Sequence, residues 1–135
     1  MPDPSAPFQI LDLGPLQSWE GKSFGRDLLG LSASQVSFNR FPAGQAAPFV
    51  HDHRTHEELY VVLPGGGLFY LDGQELPVKE GSLIRVNPGV QRSWQAGPDG
   101  ITFICTQTKA GSMPEPKGDG IRLPEVLPSW AKAGA

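Results

Sequence analysis

Hydrophobic and polar residues alternate along much of the chain with the two-residue period of β-strands, and no helical period of 3.6 residues is sustained in the middle. Glycine and proline separate the alternating segments, and Asp72-Gly73 is the strongest signal of a tight hairpin. The pattern favours an all-β sandwich or barrel. It predicts eight or nine short strands, within Phe24–Leu31, Gln35–Phe41, Phe49–His53, Glu58–Leu63, Leu68–Leu71, Glu75–Val78, Leu83–Val86, Gln91–Gln95 and Ile101–Gln107.

The two ends of the chain differ from the middle. Residues 1–23 hold short apolar clusters between prolines and glycines, which predict an extended arm that docks on a sheet. Residues 110–135 are also rich in proline and glycine and predict a tail with one short helical turn near its end. We therefore predict a single domain in three parts: an arm with the first strand (1–34), a β-barrel (35–108) and a C-terminal tail (109–135).

The composition argues against nucleic-acid-binding, membrane-spanning and disulfide-stabilised proteins. The 135 residues include 17 Gly and 14 Pro, in agreement with short strands joined by turns. The formal net charge is -3 and no stretch is densely basic, so we expect no nucleic-acid partner. No apolar run is long enough for a membrane span and the N-terminus lacks signal-peptide features, so we expect a cytoplasmic protein. The single cysteine, Cys105, excludes an internal disulfide and a thiolate zinc cluster.

The residues with the clearest chemistry lie between 51 and 58. His51 and His53 are two positions apart, so on an extended strand both imidazoles point to the same side. A carboxylate follows at the start of the next predicted strand. Two imidazoles and one carboxylate are a ligand set for a divalent transition metal such as zinc, iron, manganese, nickel or copper.

The same stretch resembles the first sequence motif of the cupin superfamily, a glycine followed by His-x-His, a glutamate and a second glycine. Gly44, His51, His53, Glu58 and Gly65 match it, with four residues between His53 and Glu58 and six between Glu58 and Gly65. Gly44 is one residue early. The resemblance implies that His51, His53 and Glu58 are metal ligands, with Glu57 as the alternative glutamate.

The second cupin motif matches less completely. Gly81 and Gly89 fit, but Asn87 replaces a proline and Ala96 replaces an asparagine. Arg92 stands where the family has its fourth metal ligand, a histidine. The resemblance covers roughly residues 35–108 and implies a small single-domain cupin, with a double-stranded β-helix or jelly-roll barrel.

A guanidinium has no lone pair to donate, so Arg92 cannot bind a metal ion. Three arrangements are open. Arg92 turns away and leaves an open three-ligand site completed by water, or His56 or Glu57 supplies the missing ligand. In the third arrangement, Arg92 pairs with Glu58 in place of the metal and leaves a metal-free pocket suited to an anion.

Parity along the strands predicts the two faces of the barrel wall. Tyr60 and Val62 share the parity of Glu58 and are expected to line the interior. The residues on the opposite face, Leu59, Val61 and Leu63, are also apolar, so we expect the N-terminal arm or a second subunit to cover them. The resemblance likewise implies a homodimer. The residues expected to bind or enclose a small molecule are Arg92, Tyr60, Trp94 and Phe103.

Two functions remain open at this stage. One is a metal-dependent protein that acts on or binds a small molecule, with Arg92 on its carboxylate; the resemblance implies oxygenase, isomerase or decarboxylase chemistry without selecting one. The other is a metal-free, non-catalytic module that binds a small molecule, with Arg92 as the anion clamp.

Overall fold

Six β-strands form one antiparallel sheet in the computed structural model, which describes residues 3, 5–113 and 119–131. The sheet order is β1-β2-β6-β3-β4, and β5 pairs with β3. The fold is all-β, as the sequence pattern predicts, and it is the jelly roll that the resemblance to cupins implies. The elements are β1 (Gly21–Phe24), α1 (Gly25–Leu29), β2 (Gln35–Phe41), β3 (His56–Leu71), β4 (Gln74–Lys79), β5 (Leu83–Val86) and β6 (Arg92–Lys109), with 3₁₀ turns at Leu16–Ser18 and Ser129–Ala131.

Two long strands, β3 and β6, form the centre of the sheet. They pair antiparallel from His56 opposite Lys109 to Leu71 opposite Arg92. The sequence predicted two short strands in each of these segments, with a turn at residues 65–67 and a loop at 96–100, and this division is wrong. Each segment is one strand, and the register shifts between Val62 and Gly67 take the place of the predicted breaks.

The glycines at 65–67 serve close packing instead of a turn. A Cβ at Gly66 would lie 2.5 Å from the carbonyl oxygen of Val78, and one at Gly67 would overlap the carbonyl oxygen of Gln95. Because glycine alone has no Cβ, these positions let neighbouring backbones approach where the sheet is irregular. The predicted hairpin at Asp72-Gly73 is confirmed, since both residues have positive φ and join β3 to β4.

Two other predicted strands are also wrong. In place of a strand at 24–31, β1 ends at Phe24 and α1 follows, because the segment Gly25–Leu29 has no β-branched residue and ends at Gly30 with φ 66°. Residues 49–53 form no strand either. They are held beside β6 by the bridge between His51 and Arg92 and by the Ser93 hydroxyl, which donates to the Phe49 carbonyl at 3.0 Å.

The inward side chains form an aromatic core. Tyr60, Phe69, Trp94 and Phe103 are all buried, and their ring centroids lie 5.0 to 6.3 Å apart. Burial of each such ring contributes about 1.5–3 kcal/mol, and the ring pairs add to it. Buried polar side chains adjoin this core, namely Ser37, Asn39, Glu58 and Arg92. The interior therefore combines an apolar base with charged and polar groups.

The N-terminal arm docks on the outer face of β2, where the Trp19 ring meets Phe38 at 5.6 Å. It was also a candidate cover for the outer face of β3, but Leu59 there remains 38% exposed. In the tail, residues 119–131 are exposed and contain the predicted helical turn; residues 114–118 and 132–135 lie outside the described residues. No helix among the described residues is long and apolar enough to cross a bilayer.

Candidate metal centre

Backbone pairing places His51 and His53 at the cavity. The His51 N–H donates to the Arg92 carbonyl at 3.1 Å, and the Arg92 N–H donates back at 2.9 Å. His53 follows two residues later, and its carbonyl accepts the Gly89 N–H at 2.8 Å. The extended segment therefore holds both imidazoles on the same side, as its spacing predicts.

Glu58 reaches the same point from β3. Glu58 is 4% exposed and shares the inward parity of Tyr60. One ligand atom from each of His51, His53 and Glu58 lies within 4.8 Å of the other two. Donors bound at about 2.1 Å to one ion lie at most about 4.2 Å apart. Only small side-chain rotations would be needed to bring the three groups into coordination distance, so the donor set fits a divalent transition metal.

The two carboxylate oxygens of Glu58 have different partners. Oε1 accepts the Tyr60 hydroxyl at 2.7 Å and faces Arg92 Nε at 3.3 Å. Oε2 faces His53 Nε2 at 3.2 Å. Because Oε1 is held on one side by a phenol and a guanidinium, the carboxylate is oriented with Oε2 towards the imidazoles.

Arg92 is fully buried and lies behind Glu58. The ion pair with Glu58 lacks hydrogen-bond geometry, and none of the three guanidinium nitrogens of Arg92 has a hydrogen-bond partner among the described residues. A buried charge of this kind depends on its counter-charge, since solvation by water is lost. The structure combines two of the arrangements that the sequence left open. Arg92 pairs with Glu58, as in the metal-free arrangement, but the donor atoms of His51, His53 and Glu58 still converge, as in the three-ligand site.

The protonation states suit metal binding. Burial lowers the pKa of His51, and the Arg92 charge acts in the same direction against the opposing effect of Glu58. His51 is therefore a neutral imidazole with a free lone pair at neutral pH. Burial also raises the pKa of Tyr60 and of Cys105 well above their ordinary values. Tyr60 thus remains a hydrogen-bond donor, and Cys105 remains a thiol that is a poor metal ligand.

The three donors line a cavity of about 100 Å³. Tyr60, Trp94 and Phe103 stand on its wall, where the sequence expected them to enclose a small molecule; Arg92 does not line it. The sequence analysis missed the part of the wall that comes from β1, β2 and the end of β6. These residues are Lys22, Phe24, Gln35, Ser37 and Gln107.

The two alternative ligands lie outside the donor cluster of the described residues. His56 Nδ1 lies 2.9 Å from Gln107 Oε1. The ring centroids of His56 and His53 are 6.1 Å apart. Glu57 is exposed, and its parity is opposite to that of Glu58.

Comparison with known proteins agrees with this architecture. Residues 38–103 match the family model described as a cupin domain. The crystal structure of a cupin protein from Bacteroides fragilis is 32% identical, with a TM-score of 0.78 over 87% of this chain and 98% of that one. The structure of a predicted oxalate decarboxylase from Thermotoga maritima is 20% identical, with a TM-score of 0.56 over 65% of this chain and 78% of that one, and shows the shared fold.

A curated relative matches over a shorter stretch. An uncharacterized protein of Methanocaldococcus jannaschii is 44% identical over 39 residues, which are 29% of this chain and 31% of that protein. The match thus spans about a third of the relative's length. Family membership rests instead on the B. fragilis structure, which the chain covers almost completely, and on the jelly-roll fold described above. This chain belongs to the cupin family.

Proposed function

We propose that His51, His53 and Glu58 hold a divalent transition metal, and that the protein binds or acts on a small carboxylate-bearing molecule at this metal. The observation that carries the proposal is the convergence of two imidazole nitrogens and one carboxylate oxygen within 4.8 Å of one another. The lowered pKa of His51 supports it, because metal ligation requires the neutral imidazole. The pairing of Glu58 Oε1 with Tyr60 supports it further, because such a contact orients a ligating carboxylate.

A metal with three protein ligands keeps positions open for an oxygen-bearing molecule and would polarise that oxygen. The chain's own residues define what enters. Trp94 and Phe103 provide apolar walls, and Tyr60 stays protonated and fixed on Glu58. Because the cavity is only about 100 Å³, it selects small molecules.

We further propose a cytoplasmic homodimer, in keeping with the unpaired thiol of Cys105 and the exposed Leu59.

A second candidate is a metal-free module that binds a small anion. The buried guanidinium of Arg92 at 3.3 Å from Glu58 favours it, because that ion pair already neutralises the carboxylate without a metal. The two candidates differ in one measurable property, the uptake of metal by the folded full-length chain.

The test is metal titration of the chelator-treated full-length protein with Mn²⁺, Fe²⁺, Ni²⁺, Cu²⁺ and Zn²⁺ in turn, followed by elemental analysis. We expect close to one equivalent of at least one of these ions per chain. His51→Ala removes a ligand and should weaken binding at least tenfold, whereas His56→Ala, outside the donor cluster, should change it less than threefold. Failure of every ion to bind, or equal losses in the two variants, would contradict the proposed site.

A further inference from the structure

Lys22 stands at the mouth of the cavity, on an edge strand to which the sequence analysis gave no role. In the pairing of β1 with β2, Lys22 lies opposite Asn39, and Phe24 lies opposite Ser37. Both β2 residues are buried on the inward face. Lys22 and Phe24 therefore share that face and line the cavity. The Lys22 side chain is nevertheless exposed, so a molecule entering from solvent can reach its ammonium group.

Two aromatic rings position this ammonium group. Lys22 Nζ lies 5.1 Å from the ring centroid of Phe24 and 5.9 Å from that of Trp94. Both rings belong to the cavity wall. Cation–π contacts of this kind are weak at exposed sites, so they orient the ammonium without preventing it from binding an anion.

The charges around the cavity do not balance. Glu58 is the single carboxylate among the described residues of its wall, and the guanidinium of Arg92 already opposes it at 3.3 Å. No carboxylate of the described residues lies within 4.0 Å of Lys22 Nζ. The carboxylate of Glu58 therefore faces two cationic side chains, Arg92 and Lys22, and a divalent metal would add to the positive excess. An entering anion is favoured over a neutral molecule.

The positions of the two cations separate their roles. Arg92 is completely buried, lies behind the carboxylate of Glu58 and does not line the cavity. Lys22 lines the cavity and is accessible. A ligand in the cavity therefore meets the ammonium of Lys22 without displacing any of the buried groups.

We propose that Lys22 is a specificity-determining residue that binds the carboxylate of a small anionic ligand at the cavity mouth, while Arg92 is the structural counter-charge of Glu58. The proposal deepens the proposed function and rests on it for the identity of the cavity as the binding site. A small dicarboxylate has the required chemistry, because one carboxylate reaches the donor cluster and the other meets Lys22. The cavity volume, equal to about three water molecules at roughly 30 Å³ each, suits a ligand of this size.

The experiment is calorimetric titration of the full-length protein with malonate and with its neutral analogue malonamide, each in the metal-loaded and the metal-free form. Lys22→Met keeps the length of the side chain and removes its charge, whereas Lys22→Arg keeps the charge. Lys79→Met, an exposed lysine on β4 outside the cavity wall, is the matched control. Thermal unfolding verifies that each variant folds, and a Co²⁺ titration measures metal uptake separately.

We expect Lys22→Met to weaken malonate binding at least tenfold and to leave Co²⁺ affinity within threefold of wild type. Lys22→Arg and Lys79→Met should retain malonate affinity within threefold, and the wild type should prefer malonate to malonamide. Equal malonate binding by Lys22→Met and the wild type would overturn the proposal, as would no malonate binding by either form of the wild type. Lys22-dependent malonate binding without metal uptake would support the proposal for Lys22 while contradicting the metal site.

Discussion

The two carboxylate oxygens of Glu58 have different environments, and only one of them faces an imidazole. Tyr60 and Arg92 face Oε1, and His53 faces Oε2. Arg92 stands at the position where the cupin motif has a metal-binding histidine. Its buried guanidinium faces the carboxylate of Glu58. We therefore predict that Arg92 supports Glu58 and does not take the place of the metal.

Replacement of this cation tests the description. In the metal-free protein, Arg92→Met leaves the Glu58 carboxylate buried without its guanidinium, and we expect the free energy of unfolding to fall by about 3–5 kcal/mol. Addition of Zn²⁺ should restore part of the loss, because the ion supplies the missing positive charge. The measurement is urea-induced unfolding with and without Zn²⁺.

Arg122→Met, an exposed arginine of the tail and outside the predicted interface, provides the matched control and should change stability by less than about 0.5 kcal/mol. A stability of Arg92→Met equal to that of the wild type would show that Arg92 does not support Glu58.

Local spacing made part of the site predictable from the sequence. His51 and His53 share a side because they are two positions apart, and Glu58 follows on the next strand, so a short motif contains all three. Lys22 could not be found in this way, because it reaches the cavity through the pairing of β1 with β2, across an intervening helix. The parity of Ser37 and Asn39 points inward, but nothing in the sequence specifies that a partner strand lies at residues 21–24.

At the scale of elements, glycine has two different roles in this fold, one in turns and one in close packing of strands. Asp72-Gly73 lies between two alternating segments and forms the predicted turn, whereas the glycines at 65–67 lie inside β3 and allow close backbone approach. Both functions require glycine, and composition alone cannot separate them. The predicted breaks in β3 and β6 failed for this reason, whereas β2 and β5 were predicted with the observed bounds.

Substitution at the β3–β6 contact should therefore be costly. A Cβ at Gly67 would overlap the Gln95 carbonyl oxygen, and both atoms belong to paired backbones that cannot move independently. We expect Gly67→Ala to lower the free energy of unfolding by about 2 kcal/mol or more. Gly120→Ala is the control, because a Cβ there meets nothing within 4 Å. Chemical denaturation measures the free energy of unfolding of both variants. An unchanged free energy of unfolding for Gly67→Ala would show that β3 and β6 do not approach this closely.

At the scale of the whole molecule, the outer face of β3 and β5 is exposed in the part of the chain that the structure describes. Leu59 is 38% exposed and Leu83 is 69% exposed, while the arm packs against Phe38 on β2. We therefore keep the prediction that a second copy of the chain covers this face. The site itself requires no second copy, because His51, His53 and Glu58 all come from one chain.

Size-exclusion chromatography with light scattering measures the mass of the protein in solution and tests the predicted homodimer. We expect the wild type to have twice the mass of one chain, and Leu83→Glu to shift it towards the monomer because a charge would be buried in the interface. Ile121→Glu, an exposed residue of the tail, should leave the mass unchanged. A monomeric wild type at 100 μM would contradict the predicted homodimer.

The most direct test of the metal site is anomalous diffraction from crystals of the full-length protein loaded with the ion that it binds best. We predict one anomalous peak per chain, about 2.1 Å from a nitrogen of His51, a nitrogen of His53 and a carboxylate oxygen of Glu58, with Arg92 still on the opposite side of that carboxylate. A peak elsewhere on the chain, or an Arg92 guanidinium occupying the space between the two imidazoles, would contradict the site described here.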